Sequence, residues 1–165
     1  MVILYLYWMK YIILTLSLVF FLFSSCDHTA NQSDGPNVPP GIPINGTWQL
    51  VSGTTITKGD SSFTDYTKET TMIKIINASH FAFLKHDIHP PKDSTNHFDA
   101  GGGSYTLTGD QYTEHLDYYS DRNWEGKTFN FTVSIHSDTL VQRGLEKVEK
   151  ENIDRIIIER YVRVK

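Results

Sequence analysis

The chain contains one cysteine, Cys26, so no internal disulfide can brace it. It has no Gly-x-Ser-x-Gly elbow and no phosphate loop ending in Gly-Lys-Ser/Thr. The local signatures of a serine hydrolase and of a nucleotide-binding loop are therefore missing. No basic run occurs anywhere and the formal net charge is −4. Binding a polyanion needs clustered Lys and Arg to displace counterions, so nucleic acid is excluded as a partner. Beyond the N-terminal region no stretch carries a clear apolar stripe at the 3.6-residue period of a helix, which argues against a helical core.

What is present begins with an apolar run, Tyr11 to Phe23, behind Lys10. Its length and its leading positive charge fit an export signal better than a membrane-spanning helix, and Met9 then reads as the true start. The run ends in Phe23-Ser24-Ser25-Cys26, which resembles the lipobox of bacterial lipoproteins. The resemblance implies a signal peptide over 1–25, cleavage before Cys26 and acylation of that residue. Membrane lipid is then a partner through the acylated Cys26, and the expected location is the cell envelope, anchored on a periplasmic or outer-membrane face. The alternative is an uncleaved anchor helix, which tethers the rest to a membrane as well. Residues 1–25 hold one lysine and no acid, so their removal takes the formal charge from −4 to −5.

Residues 26–44 turn to Ser, Asn, Asp, Gly and Pro, with a Pro39-Pro40 pair and no apolar periodicity. This composition predicts a flexible tether between Cys26 and the remainder of the chain. Residues 45–165 then form one domain, since about 120 residues support a single core and not two.

Within that domain alternation of period two dominates. In Phe129 to His136 every odd position is apolar and every even one polar, the mark of a strand with one buried face. Similar segments lie at Thr47–Ser52, Thr70–Asn77, His80–Lys85, Ser104–Thr108, Gln111–Tyr119, Thr139–Arg143 and Arg155–Val164. With Thr128–His136 they predict eight strands. Gly109-Asp110 and Ser137-Asp138 each sit between two alternating runs, and two-residue links specify antiparallel neighbours. Leu145–Asn152 reads either as a helical turn or as a charged exposed loop. An all-β, eight-stranded antiparallel up-and-down barrel is the economical arrangement, because closure removes sheet edges and encloses a lined interior. A two-sheet sandwich is the competing architecture.

The ends of the domain add a resemblance. Gly46-Thr47-Trp48 opens the first strand and Glu159-Arg160-Tyr161-Val162-Arg163-Val164 closes the last. This pattern resembles the lipocalin-type (calycin) barrels, in which a tryptophan on the first strand packs against a basic residue on the last at the closed end. The segments Gly101-Gly102-Gly103-Ser104-Tyr105-Thr106-Leu107 and Tyr112-Thr113-Glu114-His115 are similar to stretches of lipocalin-like lipoproteins of Gram-negative bacteria. The resemblance implies Trp48 and Arg160 as the barrel-closing pair, with Arg163 as the alternate, and a cation over an indole face supplies the physical reason.

The pair Glu114 and His115 invites a reading as an acid and base couple. Adjacent strand residues point to opposite faces, so the two cannot act on each other. The apolar count puts Glu114 inside with Tyr112, Leu116 and Tyr118, and His115 outside. A carboxylate on an inner face must be paired, neutralised or placed at a wet mouth, with Arg143, Arg122 or Tyr105 as its expected partners. Glu114, Tyr66, Tyr105, Tyr112 and Tyr118 form the expected lining of a ligand cavity, aromatic with one polar point.

The three glycines 101–103 run into a strand and not into a helix N-terminus, so they read as a bulge or bend in the sheet. His86, Asp87, His89, His97 and Asp99 carry metal-binding side chains at irregular spacing around Pro90-Pro91. They read as an extended loop from Asp87 to Asp99, a candidate lid, and no metal or cofactor is expected. No nucleophile is set up beside a base, so no enzyme is expected. Two functions remain: a small apolar or amphipathic ligand held in the barrel, or a packed barrel that docks onto an envelope protein. A void among Tyr105, Tyr112, Phe129 and Phe131 would separate them, because a filled small barrel holds only side chains.

Overall fold

A computed structural model describes residues 41–89 and 97–165. Cys26, the signal segment and most of the expected tether lie outside the described residues, as does the middle of the Asp87–Asp99 segment.

Among the described residues nine strands run in chain order: β1 Gly46–Thr57, β2 Asp60–Asp65, β3 Thr70–Ile76, β4 His80–Asp87, β5 Phe98–Thr108, β6 Gln111–Tyr119, β7 Lys127–His136, β8 Thr139–Val148 and β9 Ile153–Arg163. All neighbours are antiparallel, in the order β2-β1-β3-β4-β5-β6-β7-β8-β9, with β9 pairing back onto β1. That last pairing, from Trp48 opposite Arg163 to Ile56 opposite Ile156, closes an eight-stranded ring and decides for the barrel over the sandwich. Strand β2 stands beside the ring: the edge of β1 away from β9 meets β3 over 46–49 and β2 over 52–57. The architecture is the closed eight-stranded up-and-down barrel that the strand count predicts.

The extra strand escaped the sequence pattern for a physical reason. Asp-Ser-Ser-Phe-Thr-Asp in β2 is almost wholly exposed, so it has no buried face to impose alternation. Its hairpin chemistry is nonetheless present, because Lys58 and Gly59 both take positive φ, 52° and 94°, as the tightest hairpin turns require. The two expected hairpins form at Gly109-Asp110 and Ser137-Asp138. Strand β8 runs to Val148, beyond the expected Arg143, and the segment read as a helical turn or loop supplies the end of β8 and one short 3₁₀ turn, Glu149–Glu151.

One end of the barrel is plugged. Trp48 is fully buried and its Nε1 donates to the carbonyl of Ile44 at 2.8 Å. The guanidinium of Arg163 lies over the Trp48 ring, 4.0 Å from its centroid, and donates to the carbonyls of Asn45 at 2.8 Å and Pro43 at 3.0 Å. The residue over the indole is thus Arg163 and not Arg160, which is exposed on the outer face of β9. Counting apolar residues selected the wrong face of β9: Ile156, Ile158 and Val162 lie outside, while the inner face carries Arg155, Ile157, Glu159 and Tyr161. Apolar count fails as a guide where the interior itself is charged.

Above the plug, Leu50, Ile76, Phe81, Tyr112, Val133, Leu140 and Tyr161 are buried and form the packed floor. Every ring strand has its floor end at the side of the 77–79, 109–110 and 137–138 turns. The other end, the mouth, is framed by the β1–β2 hairpin, the β6–β7 loop and the β8–β9 connection.

Candidate functional site

Between floor and mouth the barrel is not filled. A cavity of about 220 Å³ is bounded by residues from all eight ring strands, with Tyr66 and Trp124 from the connections. Its two sides differ in chemistry.

The β4 to β7 side is a chain of touching rings. Phe83 meets Tyr119 with centroids 5.6 Å apart, Tyr119 meets Trp124 at 5.9 Å, Trp124 meets Phe129 at 5.8 Å and Phe129 meets Phe131 at 6.4 Å. The separations and tilts are those of favourable aromatic pairs. The β6–β7 loop turns Trp124 into this row: Asp121 caps it by accepting from the backbone N–H of Asn123 at 2.9 Å, and Gly126 closes it at φ 76°.

The glycines explain how the rings meet across β5. A Cβ on Gly101 would stand 2.7 Å from both Phe83 and Tyr119, so the missing side chain is what lets those two rings touch. Between Gly102 and Gly103 the pairing with β6 slips by one residue, leaving Asp117 as an extra residue opposite the junction. Asp117 turns its carboxylate to the backbone N–H of Ser104 at 3.0 Å. A bulge of this kind reverses the in and out alternation beyond it. Tyr119 therefore points into the cavity, and Tyr118, expected inside, is 71% exposed on the outer surface.

The opposite side, β3 with β8 and β9, is polar. Lys74 is buried and donates to Glu114 Oε1 at 2.7 Å and to Gln142 Oε1 at 3.1 Å. Its ammonium also lies 5.4 Å from the Tyr161 ring centroid and 5.6 Å from that of Phe81. The partner of Glu114 is thus Lys74, in place of the expected Arg143, Arg122 or Tyr105. A lone carboxylate or ammonium at this depth would be very costly, and the pair with its extra hydrogen bonds is the form in which both persist. Nearer the mouth, Arg155 Nε donates to Glu146 Oε2 at 2.7 Å.

Glu159 sits between these pairs and accepts one bond, from the Tyr161 hydroxyl at 2.7 Å. It lies deep among protein atoms but keeps some accessible surface, because the cavity opens onto it. Burial pushes its carboxyl above the usual range; Lys74 and the Tyr161 hydroxyl pull it back in part, and Glu146 and Glu114 raise it further. Asp99 on β5 accepts from Tyr119 at 3.0 Å and from Ser120 at 2.7 Å. The Tyr119 hydroxyl is pushed up by burial and then by the Asp99 charge.

Of the residues expected to line a cavity, Glu114 and Tyr66 do so. Tyr66 stands at the mouth, over Gly53 of β1, and its hydroxyl is raised by burial and by the charge of Glu159. Tyr112 is in the floor, where its hydroxyl finds no hydrogen-bond partner among the described residues. Tyr105 lies at the closed end and donates to the carbonyl of Asn77 at 2.7 Å. Tyr105, Tyr112, Phe131 and Phe129 do form a continuous row of rings, yet the void persists above them.

Sequence reasoning missed Lys74, Gln142, Glu146, Arg155, Glu159, Tyr119 and Trp124. A signal existed for some of them: Lys74 within Thr-Thr-Met-Ile-Lys-Ile-Ile and Glu159 within Ile-Ile-Ile-Glu-Arg-Tyr each put a charge inside an apolar strand. Tyr119 had none, because its direction depends on the bulge. Among the described residues no group of three or more His, Cys, Asp or Glu side chains is placed to hold a metal ion.

No family model matches the chain, and no curated protein matches it. Among solved structures, a lipocalin-like protein from Bacteroides uniformis is similar, with a TM-score of 0.42 and 18% identity over 73% of this chain and 98% of that one.

Proposed function

We propose that the protein binds a small amphipathic molecule in the mouth half of its barrel. The observation that carries this reading is the mixed lining of the cavity, with a row of rings along β4 to β7 facing Lys74, Gln142, Glu146, Arg155 and Glu159 on β3, β8 and β9, and with Lys85, Asp99 and Glu114 set among the ring-bearing strands. Such a lining suits a ligand that offers apolar surface to one side and hydrogen-bonding groups to the other. A purely apolar ligand would strip water from the charges without replacing its hydrogen bonds. At about 220 Å³ the cavity falls below the range of roughly 300–1,000 Å³ that holds drug-sized molecules. Long acyl chains and four-ring systems of sterol size are too large for it, and the ligand is smaller than these.

The role proposed is sequestration and not catalysis, with apolar transfer supplying affinity and the buried polar groups supplying orientation. The lipobox-like Phe23-Ser24-Ser25-Cys26 supports a lipid anchor at Cys26, which would keep the barrel at a membrane of the cell envelope. Native mass spectrometry of the full chain, released from gentle detergent, tests the ligand reading. A stoichiometric small adduct, lost on denaturation, is the expected result. A chain that stays bare and also takes up none of a library of small amphipathic molecules overturns the reading and favours a barrel that docks a protein. Metabolic labelling with a clickable fatty acid tests the anchor: label is expected on the chain and absent after Cys26→Ser.

A further inference from the structure

We infer that the molecule accepted by the mouth cavity is a small organic cation, its ammonium group set beside Glu159 and its hydrocarbon part against the Phe83, Tyr119, Trp124 and Phe129 rings. This inference rests on the ligand-binding role proposed above.

The charges of the cavity carry the argument. Its lining holds four carboxylates, Asp99, Glu114, Glu146 and Glu159, and three cations, Lys74, Lys85 and Arg155. Lys74 is bonded to Glu114 and Arg155 to Glu146. Lys85 stands across the strand pair from Asp99 but makes no ion pair among the described residues, its ammonium lying 5.9 Å from the Tyr66 ring centroid. Asp99 accepts from Tyr119 and from Ser120. Among the described residues Glu159 is left with a single hydrogen bond and no ion pair. Its bond from Tyr161 fills one of about four acceptor sites that a carboxylate offers. No lysine or arginine reaches it within salt-bridge distance among the described residues. Lys74 does act on Glu159 through space, but that single ammonium is already hydrogen-bonded to Glu114 and to Gln142.

The lining therefore holds one carboxylate more than it holds cations, and Glu159 has none within salt-bridge distance among the described residues. Burial raises Glu159 toward its protonated form, and an ammonium beside it supplies the compensating charge that the protein withholds. An anion in the same place would meet Glu114, Glu146 and Glu159 together. The rings point the same way: aromatic faces attract ammonium groups and accept the hydrocarbon attached to them.

The test uses three probes of one shape: 2-phenylethylammonium, 2-phenylethanol and phenylacetate. Each is titrated into the full chain in non-ionic detergent, with calorimetry and tryptophan fluorescence as readouts. The cation is expected to bind about ten-fold or more tightly than the alcohol, as one charge-assisted hydrogen bond allows, and phenylacetate is expected to bind less tightly than the alcohol. Glu159→Gln, which keeps an acceptor for Tyr161, is expected to remove the preference and bring the cation down to the level of the alcohol. Equal binding of cation and alcohol, or preference for phenylacetate, in the unmodified chain overturns the inference without needing the variant to fold. Cation preference that survives Glu159→Gln overturns the assignment to Glu159. Failure of all three probes to bind overturns the ligand-binding reading itself, a distinct result.

Discussion

Arg163 and Trp48 close the barrel together: the guanidinium carbon stands 4.0 Å from the indole centroid, and the same side chain bonds two carbonyls of the segment entering β1. First and last strands are thereby joined at one point, which turns a curled sheet into a plugged barrel. The contact fixes which end is closed and so which end holds the cavity.

Trp48→Ala is expected to cost about 3–5 kcal/mol, the usual penalty for deleting a large buried aromatic. Arg163→Ala is expected to cost about 2 kcal/mol through the lost cation–ring contact and hydrogen bonds. Arg160→Ala, on the exposed face, is expected to stay within about 0.5 kcal/mol. Urea denaturation of the three variants measures the order. A loss at Arg160 equal to that at Arg163 would place the plug on the wrong arginine.

Lys74 and Glu114 are buried and mutually dependent. Lys74→Met leaves a buried carboxylate without its partner and is expected to cost about 3–5 kcal/mol. The double variant Lys74→Met, Glu114→Leu is expected to recover most of that loss, since an apolar pair of similar volume removes both desolvation penalties. A double-mutant cycle by chemical denaturation reads the coupling. Additive losses would show that the two side chains do not depend on each other.

The bulge opposite Gly103 is expected to tolerate no side chain there. A Cβ would run into the backbone of His115 and Asp117, including the Asp117 nitrogen at 2.7 Å, and backbone cannot swing aside as a side-chain tip can. Gly103→Ala is expected to lower stability by about 1–3 kcal/mol and to change Trp124 fluorescence, because the same bulge aims Tyr119 at Trp124. Tyr118→Ser, on the outer surface, is expected to leave both unchanged. Thermal melts with emission spectra decide; a silent Gly103→Ala would contradict the observed register.

Glu159 predicts a pH dependence with a definite sign. Its folded carboxyl holds its proton to higher pH than the ordinary 4.5 of an unfolded glutamate. The stability it contributes is therefore complete below 4.5 and is lost as pH rises through the raised folded value. Subtracting the stability profile of Glu159→Gln from that of the unmodified chain is expected to leave a curve that falls as pH climbs above 4.5. A difference curve that rises instead would mean that the carboxylate is stabilised by its surroundings.

Much of this protein is written locally. Alternation along β3, β4, β6 and β7, with two-residue turns at Gly109-Asp110 and Ser137-Asp138, determines antiparallel strands, because each residue's direction follows from its neighbours. The same reasoning separates Glu114 from His115 and puts Glu114 inside. The apolar run before Cys26 and the polar stretch after it are likewise properties of composition alone. Tertiary structure decided the rest. Closure of β9 onto β1 brings residues one hundred or more positions apart into register, and no local pattern encodes that meeting. Arg163 was preferred over Arg160 by the charged interior of β9, which inverts the apolar count. One extra residue, Asp117, exchanged Tyr118 for Tyr119 in the cavity, since strand parity is a running count that a single bulge resets. Lys74 meets Glu114 from forty residues away, and closure of the barrel is what leaves Glu159 with no cation in reach among the described residues. Pairing of charges depends on separations in space, and only the closed barrel sets those.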